Sequence, residues 1–237
     1  MIIVSWNVLH RIHAVNWSDS VIGSWPREMV RAGSIADAIN VFAADVVCLQ
    51  EVSGDTLAML RDVVTGEIFA TPYPRVPALR QQAKVVLTDP TEYLVTIVRA
   101  AARLVSAEAF PTDGGKGFQR VELASGETII TTHVTYGDKR TAQLARLAEE
   151  ARKAPGLCVI AGDFNADLAT CAAELGDEFV AEELPASSLP TRPRQEASNR
   201  SQNIDHLFVR GGTVRESAVI DGEGRSDHNP VRVVVER

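Results

Sequence analysis

The chain has 237 residues, 45% of them hydrophobic and 23% charged, which excludes a disordered, collagen-like or coiled-coil protein. Its 24 Lys and Arg against 31 Asp and Glu leave a net charge of −7. Bulk charge therefore does not hold nucleic acid, because non-specific binding runs on neutralised phosphates; a local cation or a metal must supply any phosphate contact. No run nears the roughly 18 apolar residues of a membrane span, and no leader precedes the opening apolar run. Cys48, Cys158 and Cys171 are odd in number and irregularly spaced, which argues against a disulfide framework or a zinc knuckle. The expectation is a reduced, cytoplasmic protein.

In chain order, short Val-, Ile- and Leu-rich runs predict strands over residues 2–8, 46–52, 93–98, 128–134, 157–161, 204–209 and 231–235. Weaker strands fall at 67–70, 103–109, 118–123, 179–181 and 213–220. Two segments have helical period. Ala32, Ile35, Ile39 and Phe42 share a face, with Ser24 and Pro26 where a cap and an early-turn proline belong. Leu144, Leu147, Ala148 and Ala151 share another, with Asp138 as N-cap and a Glu149–Lys153 i,i+4 pair. Shorter helices are predicted over 56–63 and near 168–175. Strand–helix–strand occurs twice, from 2 to 51 and from 128 to 163. More strands than helices, with helices in both halves, predict two β-sheets packed face to face with helices outside. No break resembles an interdomain linker, so residues 1–237 read as a single domain.

The chemistry gathers at strand ends. Asn7 closes IIVSWN, Glu51 closes VVCLQE, His133 closes TIITTH, and Asp163 closes CVIAGD with Asn165 two residues on. Asp205 and His206 interrupt NIDHLFV, and Asp227 and His228 precede the last strand in SDHNPV. Singly, each is an ordinary turn residue or cap. Together, carboxylates on several strand ends can converge on one rim of a sheet, as oxygen-ligand sites for Mg²⁺ require. Histidine beside such a site serves as phosphate binder or proton carrier.

The motifs SWN, LQEV, TTHV, GDFNA, IDHLFV and SDHNPV, in this order from residue 4 to residue 231, resemble those of the endonuclease/exonuclease/phosphatase superfamily with its deoxyribonuclease I-like fold. The resemblance implies a four-layer α/β sandwich of two mostly antiparallel sheets flanked by helices, and hydrolysis of a phosphoester with Mg²⁺, or Mn²⁺, as one ion or two. It implies Glu51 as main metal ligand, Asn7 beside it contacting metal or phosphate, and Asp227 as a further metal-side carboxylate. It implies Asp163 as the group that orients or deprotonates water, with Asn165 and His133 bonded to phosphoryl oxygens. His228 contacts the phosphate and Asp205 fixes its ring. Asp163 and Asn165 would face one side if the chain there were extended.

Other positions carry weaker expectations. Asp205 and His206 alternate in a strand, so Asp205 is taken for the site and His206 for a layer or solvent. Tyr93 in TEYLVTIV lies where family members can place a substrate-contacting aromatic. His10 and His13 read as loop-surface residues that could instead line the cleft. Gly114–Gly117 lacks the full phosphate-loop spacing and reads as a mobile rim loop. Arg192, Arg194 and Arg200, just before Asp205, could clamp a substrate phosphate or belong to a solvated loop.

For substrate, the resemblance favours a nuclease or phosphodiesterase acting on nucleic acid. The segment before IDH lacks the tryptophan typical of the abasic-site repair branch. Asn165-Ala166-Asp167 departs from the Asn-Tyr-Arg of inositol-polyphosphate 5-phosphatases, and no apolar hairpin suggests a secreted sphingomyelinase. A phosphomonoesterase or lipid-head-group phosphatase stands as the alternative on the same site, and a silent binding module as the alternative of another class. No protein partner is inferred.

Overall fold

The computed structural model describes residues 1–80, 85–181, 184–193 and 201–237. Arg194 and Arg200 lie outside the described residues. The elements are β1 (Ile2–Asn7), α1 (Arg11–Asn16), α2 (Val21–Ser24), α3 (Glu28–Val41), β2 (Val46–Ser53), α4 (Gly54–Val63), β3 (Glu67–Pro72), β4 (Glu92–Val98) and β5 (Ala102–Phe110), followed by β6 (Asp113–Leu123), β7 (Thr128–His133), α5 (Arg140–Arg152), β8 (Cys158–Asp163), α6 (Leu168–Leu175), β9 (Asp205–Arg210), β10 (Thr213–Val219) and β11 (Val231–Glu236).

The strands form two sheets, ordered β10-β11-β1-β2-β4-β3 and β5-β6-β7-β8-β9. Within each, one pair is parallel, β1 with β2 and β7 with β8; the other pairs are antiparallel. Period-two alternation sorts the strands' apolar residues into layers. On β2, Val46 and Cys48 join Ile129, Val159 and Leu207 in the core between the sheets. Val47 and Leu49 turn the other way and pack with Ile35 and Ile39 of α3 and Leu57 and Leu60 of α4. On the far side Ile130, Ile160 and Phe208 pack against Leu144 and Leu147 of α5 and Cys171 and Leu175 of α6. Helix, sheet, sheet and helix are the four layers the sequence predicts.

Several local expectations are corrected. Residues 179–181 form only a single bridge, Val180 to Val209. Gly114–Gly117 is strand, inside β6. Pro26 does not open α3: it keeps Trp25 before it out of the helical region (φ −127°, ψ 72°), which ends α2, and α3 starts at Glu28. Asp138 stands one residue too early to cap α5, whose N-cap position is Lys139 with no side-chain capping bond. Lys153 pairs with Glu150 at 2.7 Å instead of Glu149, because Glu150 faces the protein and gathers Arg146 as well. His10 and His13 lie in and before a helix, α1, not in a surface loop: His10 is its N-cap. Two caps do follow local chemistry: the Ser53 hydroxyl accepts from Thr56 N at the start of α4, and the Asp167 carboxylate from Thr170 N at the start of α6.

Candidate active site

Parallel strands end at the same edge, so β1 with β2 and β7 with β8 each deliver two chain ends to one rim. In the second sheet the register is unbroken. His133 stands opposite Asp163, and Asp163 opposite Asp205, in one row across β7, β8 and β9. In the first sheet Asn7 stands opposite Gln50, and the β2–β4 register slips between Leu49 and Val52. Glu51 sits in that bulge with φ +57°. Bulges re-aim side chains, and this one turns Glu51 to the rim that Asn7 occupies. β11 runs antiparallel beside β1, so the segment just before it also reaches this rim. Trp6 Nε1 donates to His228 O at 2.9 Å, and Ser226 Oγ to Asn7 O at 2.7 Å.

The eight residues of the six motifs meet there. Asn7 Nδ2 donates to Glu51 Oε1 at 3.2 Å and to Asp163 Oδ2 at 3.0 Å. Leu9 N donates to Asn7 Oδ1, which fixes the amide so that its NH₂, not its oxygen, faces the carboxylates. His133 Nε2 lies 3.3 Å from Asp163 Oδ2 and 3.9 Å from Glu51 Oε1. His228 Nδ1 bonds Asp205 Oδ2 at 2.8 Å, and its Nε2 faces Asp163 and Asp227, each at 3.9 Å. Asn165 is at φ +49°, so the chain there is not extended. Its N–H donates to Asp163 Oδ1 and its Nδ2 to Val134 O, both at 2.9 Å. A left-handed turn, tolerated by Asn, keeps Asn165 beside Asp163.

Burial raises the cost of each charge, and the neighbours outweigh it. Desolvation pushes the Glu51 pKa up, but His13, Lys116, His133 and the Asn7 amide hold it well below the usual carboxylate range. Asp163 is likewise pulled far down against burial by His133, His228 and Lys116. For His228 burial lowers the pKa, while Asp205, Asp227 and Asp163 raise it to about 9. Burial and Asp163 push Asp205 up and His228 opposes them; with three carboxylates around the ring, the proton rests on the imidazole.

Other expected residues are placed differently. Tyr93 does not line the cleft: it packs on the α3–α4 side with its hydroxyl 3.4 Å from Asp89. By strand alternation its neighbour Glu92 takes the cleft side, buried, with Oε2 2.8 Å from His13 Nε2. Arg192 lines the cleft, yet both Nε and Nη2 are committed to Asp227 Oδ2 at 3.2 and 3.0 Å. His206 faces a layer, bonded to Ala166 O and packed with Phe164 and Phe208.

Three residues that sequence reasoning missed complete the surroundings. Lys116, from the discounted GGKG, contacts both ring nitrogens of His133, 3.0 Å from Nδ1. Buried Arg31 on α3 donates to Val8 O, Leu9 O and Arg225 O while paired with Glu28, and so ties the chain after β1 to the SDHNPV loop. Glu92 is the third; alternation sets it opposite Tyr93, and only the packing of the two sheets decides which of the pair faces the cleft. The cluster floors a cleft of roughly 1180 Å³, larger than the usual small-ligand pocket of about 300–1,000 Å³.

The donors suit a hard divalent cation. Glu51 and Asp163 are held ionised, and Asp227 Oδ1 is buried with no hydrogen-bond partner among the described residues. Asp163, Asp205 and His228 also offer ligand atoms within 4.8 Å of one another, but the His228–Asp205 hydrogen bond occupies two of the three. No helix among the described residues is long and apolar enough to cross a membrane.

The model of the "Endonuclease/Exonuclease/phosphatase family" matches residues 4–228. No curated protein matches the chain. Among solved structures, a functionally unknown conserved protein from Enterococcus faecalis V583 is 17% identical with a TM-score of 0.72, covering 100% of this chain and 99% of that one. D. rerio TDP2 complexed with single strand DNA product is 17% identical (TM-score 0.72; 100% and 99% covered). The human Nocturnin catalytic domain with bound sulfate anion is 17% identical (TM-score 0.71; 100% and 93% covered). At these identities the likeness is one of fold. The family match spans most of the chain and includes the whole rim described above, so the chain belongs to the endonuclease/exonuclease/phosphatase family.

Proposed function

We propose that this protein, a member of a family of metal-dependent phosphoester hydrolases, hydrolyses a phosphodiester of nucleic acid with Mg²⁺ or Mn²⁺, with residues 1–237 acting as one catalytic domain in the cytoplasm. The observation that carries this reading is the continuous hydrogen-bonded line from Glu51 through Asn7 to Asp163, with the His228–Asp205 pair alongside. Glu51 and Asp227 would hold the cation, which neutralises the phosphate and supports the charge of the transition state. Asn7 acts as an organiser: its NH₂ holds the two carboxylates in place.

Asp163, held ionised against burial by His133 and His228, is the acceptor for the attacking water's proton as the new P–O bond forms, and the proton passes to the leaving oxygen as its bond to phosphorus breaks. The same carboxylate accepts a hydrogen bond from the attacking water and orients it. His228, protonated at neutral pH, donates to a phosphoryl oxygen as charge develops there, and Asp205 holds the ring. Asn165, His133 and Lys116 contribute donors on the same side. That D. rerio TDP2 was captured with a single strand DNA product supports nucleic acid as the substrate class.

The test is a turnover panel over duplex DNA, single-stranded DNA, RNA, abasic DNA and phosphoinositides. Mg²⁺-dependent strand cleavage, abolished by EDTA and restored by Mg²⁺, is the expected result. Full activity in EDTA refutes the metal assignment. Release of inorganic phosphate from small esters without strand cleavage selects the phosphatase reading, and no turnover selects the silent module.

A further inference from the structure

Aromatic residues make up only 5% of the chain, and most are packed inside. Two are not: Trp17 is 65% exposed and Tyr136 79%. Both stand on the cleft above the carboxylate cluster. Each follows a cleft-lining histidine closely in the chain. Trp17 is four residues after His13 on α1, where Trp17 N donates to His13 O, so the two share a helix face. Tyr136 is three residues after His133, which ends β7. Arg80 lies over the Trp17 ring at 4.5 Å, held there through Arg80 N to Asn16 Oδ1. The same cleft carries Arg75, paired with Asp113 at 2.9 Å, Arg192, paired with Asp227 at 3.0 Å, and Lys116 beside His133, cations that a strand's phosphates would share with those carboxylates.

An exposed indole or phenol costs solubility without adding to the core, so two such rings confined to one functional cleft call for a ligand. A flat π surface beside guanidinium and ammonium groups is the chemistry that binds single-stranded nucleic acid, with bases stacking on rings and phosphates meeting cations. A duplex keeps its base faces stacked internally and cannot offer them. A lipid surface would suit rings on a convex face, not rings lining a concave one that ends in carboxylates.

We propose that Trp17 and Tyr136 are base-stacking platforms that make the preferred substrate a single strand lying across the cleft, with unpaired bases on either ring and a phosphate over the Glu51–Asp163 cluster. This rests on the nucleic-acid reading above, but its test does not require turnover.

The test is binding in EDTA at low salt, where the strand stays uncut. Fluorescein-labelled dT10, an abasic backbone of the same length and a 10-base-pair duplex are titrated by anisotropy against wild type, Trp17→Ala, Tyr136→Ala and Trp17→Phe. Wild type should bind dT10 more tightly than the abasic strand or the duplex. Each alanine variant should bind dT10 about 5- to 100-fold more weakly, the range for one lost stacked base, with abasic affinity unchanged. Trp17→Phe should retain most of the affinity. Indole emission should be quenched by dT10 in wild type and not in Trp17→Ala. Equal binding of dT10 and the abasic strand by wild type overturns the proposal. So do alanine variants that bind dT10 like wild type, or that lose both strands equally. In a parallel sedimentation with phosphatidylserine-containing vesicles, alanine variants that lose wild-type vesicle binding while keeping dT10 affinity assign the rings to a lipid surface and also overturn it. A strand that binds through the rings but is never cut in Mg²⁺ refutes the hydrolytic reading and leaves this one standing.

Discussion

The two parallel strand pairs reach the same rim by different means. β7 and β8 hold regular register to their last residues, so His133 and Asp163 arrive side by side. That regularity needs Gly162: a Cβ there would lie 2.0 Å from Thr132 O. β1 and β2 hold register only to Asn7 and Gln50, after which Glu51 takes a left-handed conformation in a bulge. Such a conformation in a non-glycine residue costs about 1–3 kcal/mol. One half of the molecule places its carboxylate by omitting a side chain, the other by bending the backbone. The cluster's geometry is thus over-determined on the β8 side and strained on the β2 side.

The severest break is expected on the regular side, where Asp205 extends the row to His228. His228→Ala should lower turnover about 10²- to 10⁴-fold, the range for a lost acid–base or charge-stabilising group. Asp205→Asn should cost less, and the double variant less than the product of the two, because the pair acts as one unit. The pair also predicts a pH signature in the metal-free protein. The His228 pKa is raised from 6.5 to about 9, so its contribution to stability is complete below about pH 6.5 and is lost as pH rises through about 9. Urea midpoints in EDTA should therefore fall across that window in wild type and fall less in Asp205→Asn, where Asp227 and Asp163 remain beside the ring. A flat wild-type profile would refute the ion pair.

Next is the regularity itself. Gly162→Ala should separate β7 from β8 and destabilise the fold by about 1–3 kcal/mol, as overpacking does, measured by urea unfolding. Activity should fall with it, because the His133–Asp163 spacing shifts. Unchanged stability would show that Thr132 yields freely and that register is not what fixes the pair. On the bent side, Glu51→Gln keeps the shape and removes one ligand charge. The Mg²⁺ concentration for half-maximal activity should rise about 10- to 100-fold, the scale of lost metal-site interactions. An identical Mg²⁺ titration would make Glu51 a strand-end residue only.

The uneven legibility of the sequence follows the same division. The four layers and the rim were readable because β-strand periodicity and strand-end polarity are local signals, and GDFNA and SDHNPV carry their chemistry within a few residues. The residues that were missed act across long separations. Glu92 meets His13 over 79 positions, and Arg31 clamps Arg225 over 194. Nothing local to NVLHRIH marks a helix, because its cap is a histidine whose ring accepts from Ile12 N in place of the usual Ser, Thr, Asp or Asn. Tyr93 was misplaced for a simpler reason: alternation decides only that Glu92 and Tyr93 face opposite ways, and the cleft's side is set by the second sheet. The bulge at Glu51 was invisible because glutamate gives no sign of a left-handed backbone, whereas at Asn165 the residue type allowed one.

The smallest expected effect separates strain from function. Glu51→Gly removes the carboxylate, so hydrolysis should be lost. It also removes the Cβ that makes φ +57° costly. Against this stand two lost hydrogen bonds, from Asn7 Nδ2 and His10 N, and the greater backbone entropy of an unfolded glycine. Two hydrogen bonds to a charged group, at about 1.5–3 kcal/mol each, and the glycine's entropic cost of about 0.5–1 kcal/mol outweigh the released strain of about 1–3 kcal/mol, which offsets only part of the loss. The inactive variant should therefore be destabilised in metal-free urea unfolding, but by less than the bonds alone would cost, because the strain is released. The same substitution at Asp163, where the backbone is ordinary strand, has no strain to release and should destabilise the fold more. Equal destabilisation at both positions would mean that the bulge at Glu51 is a relaxed feature of β2, and that the two halves of the rim are built alike after all.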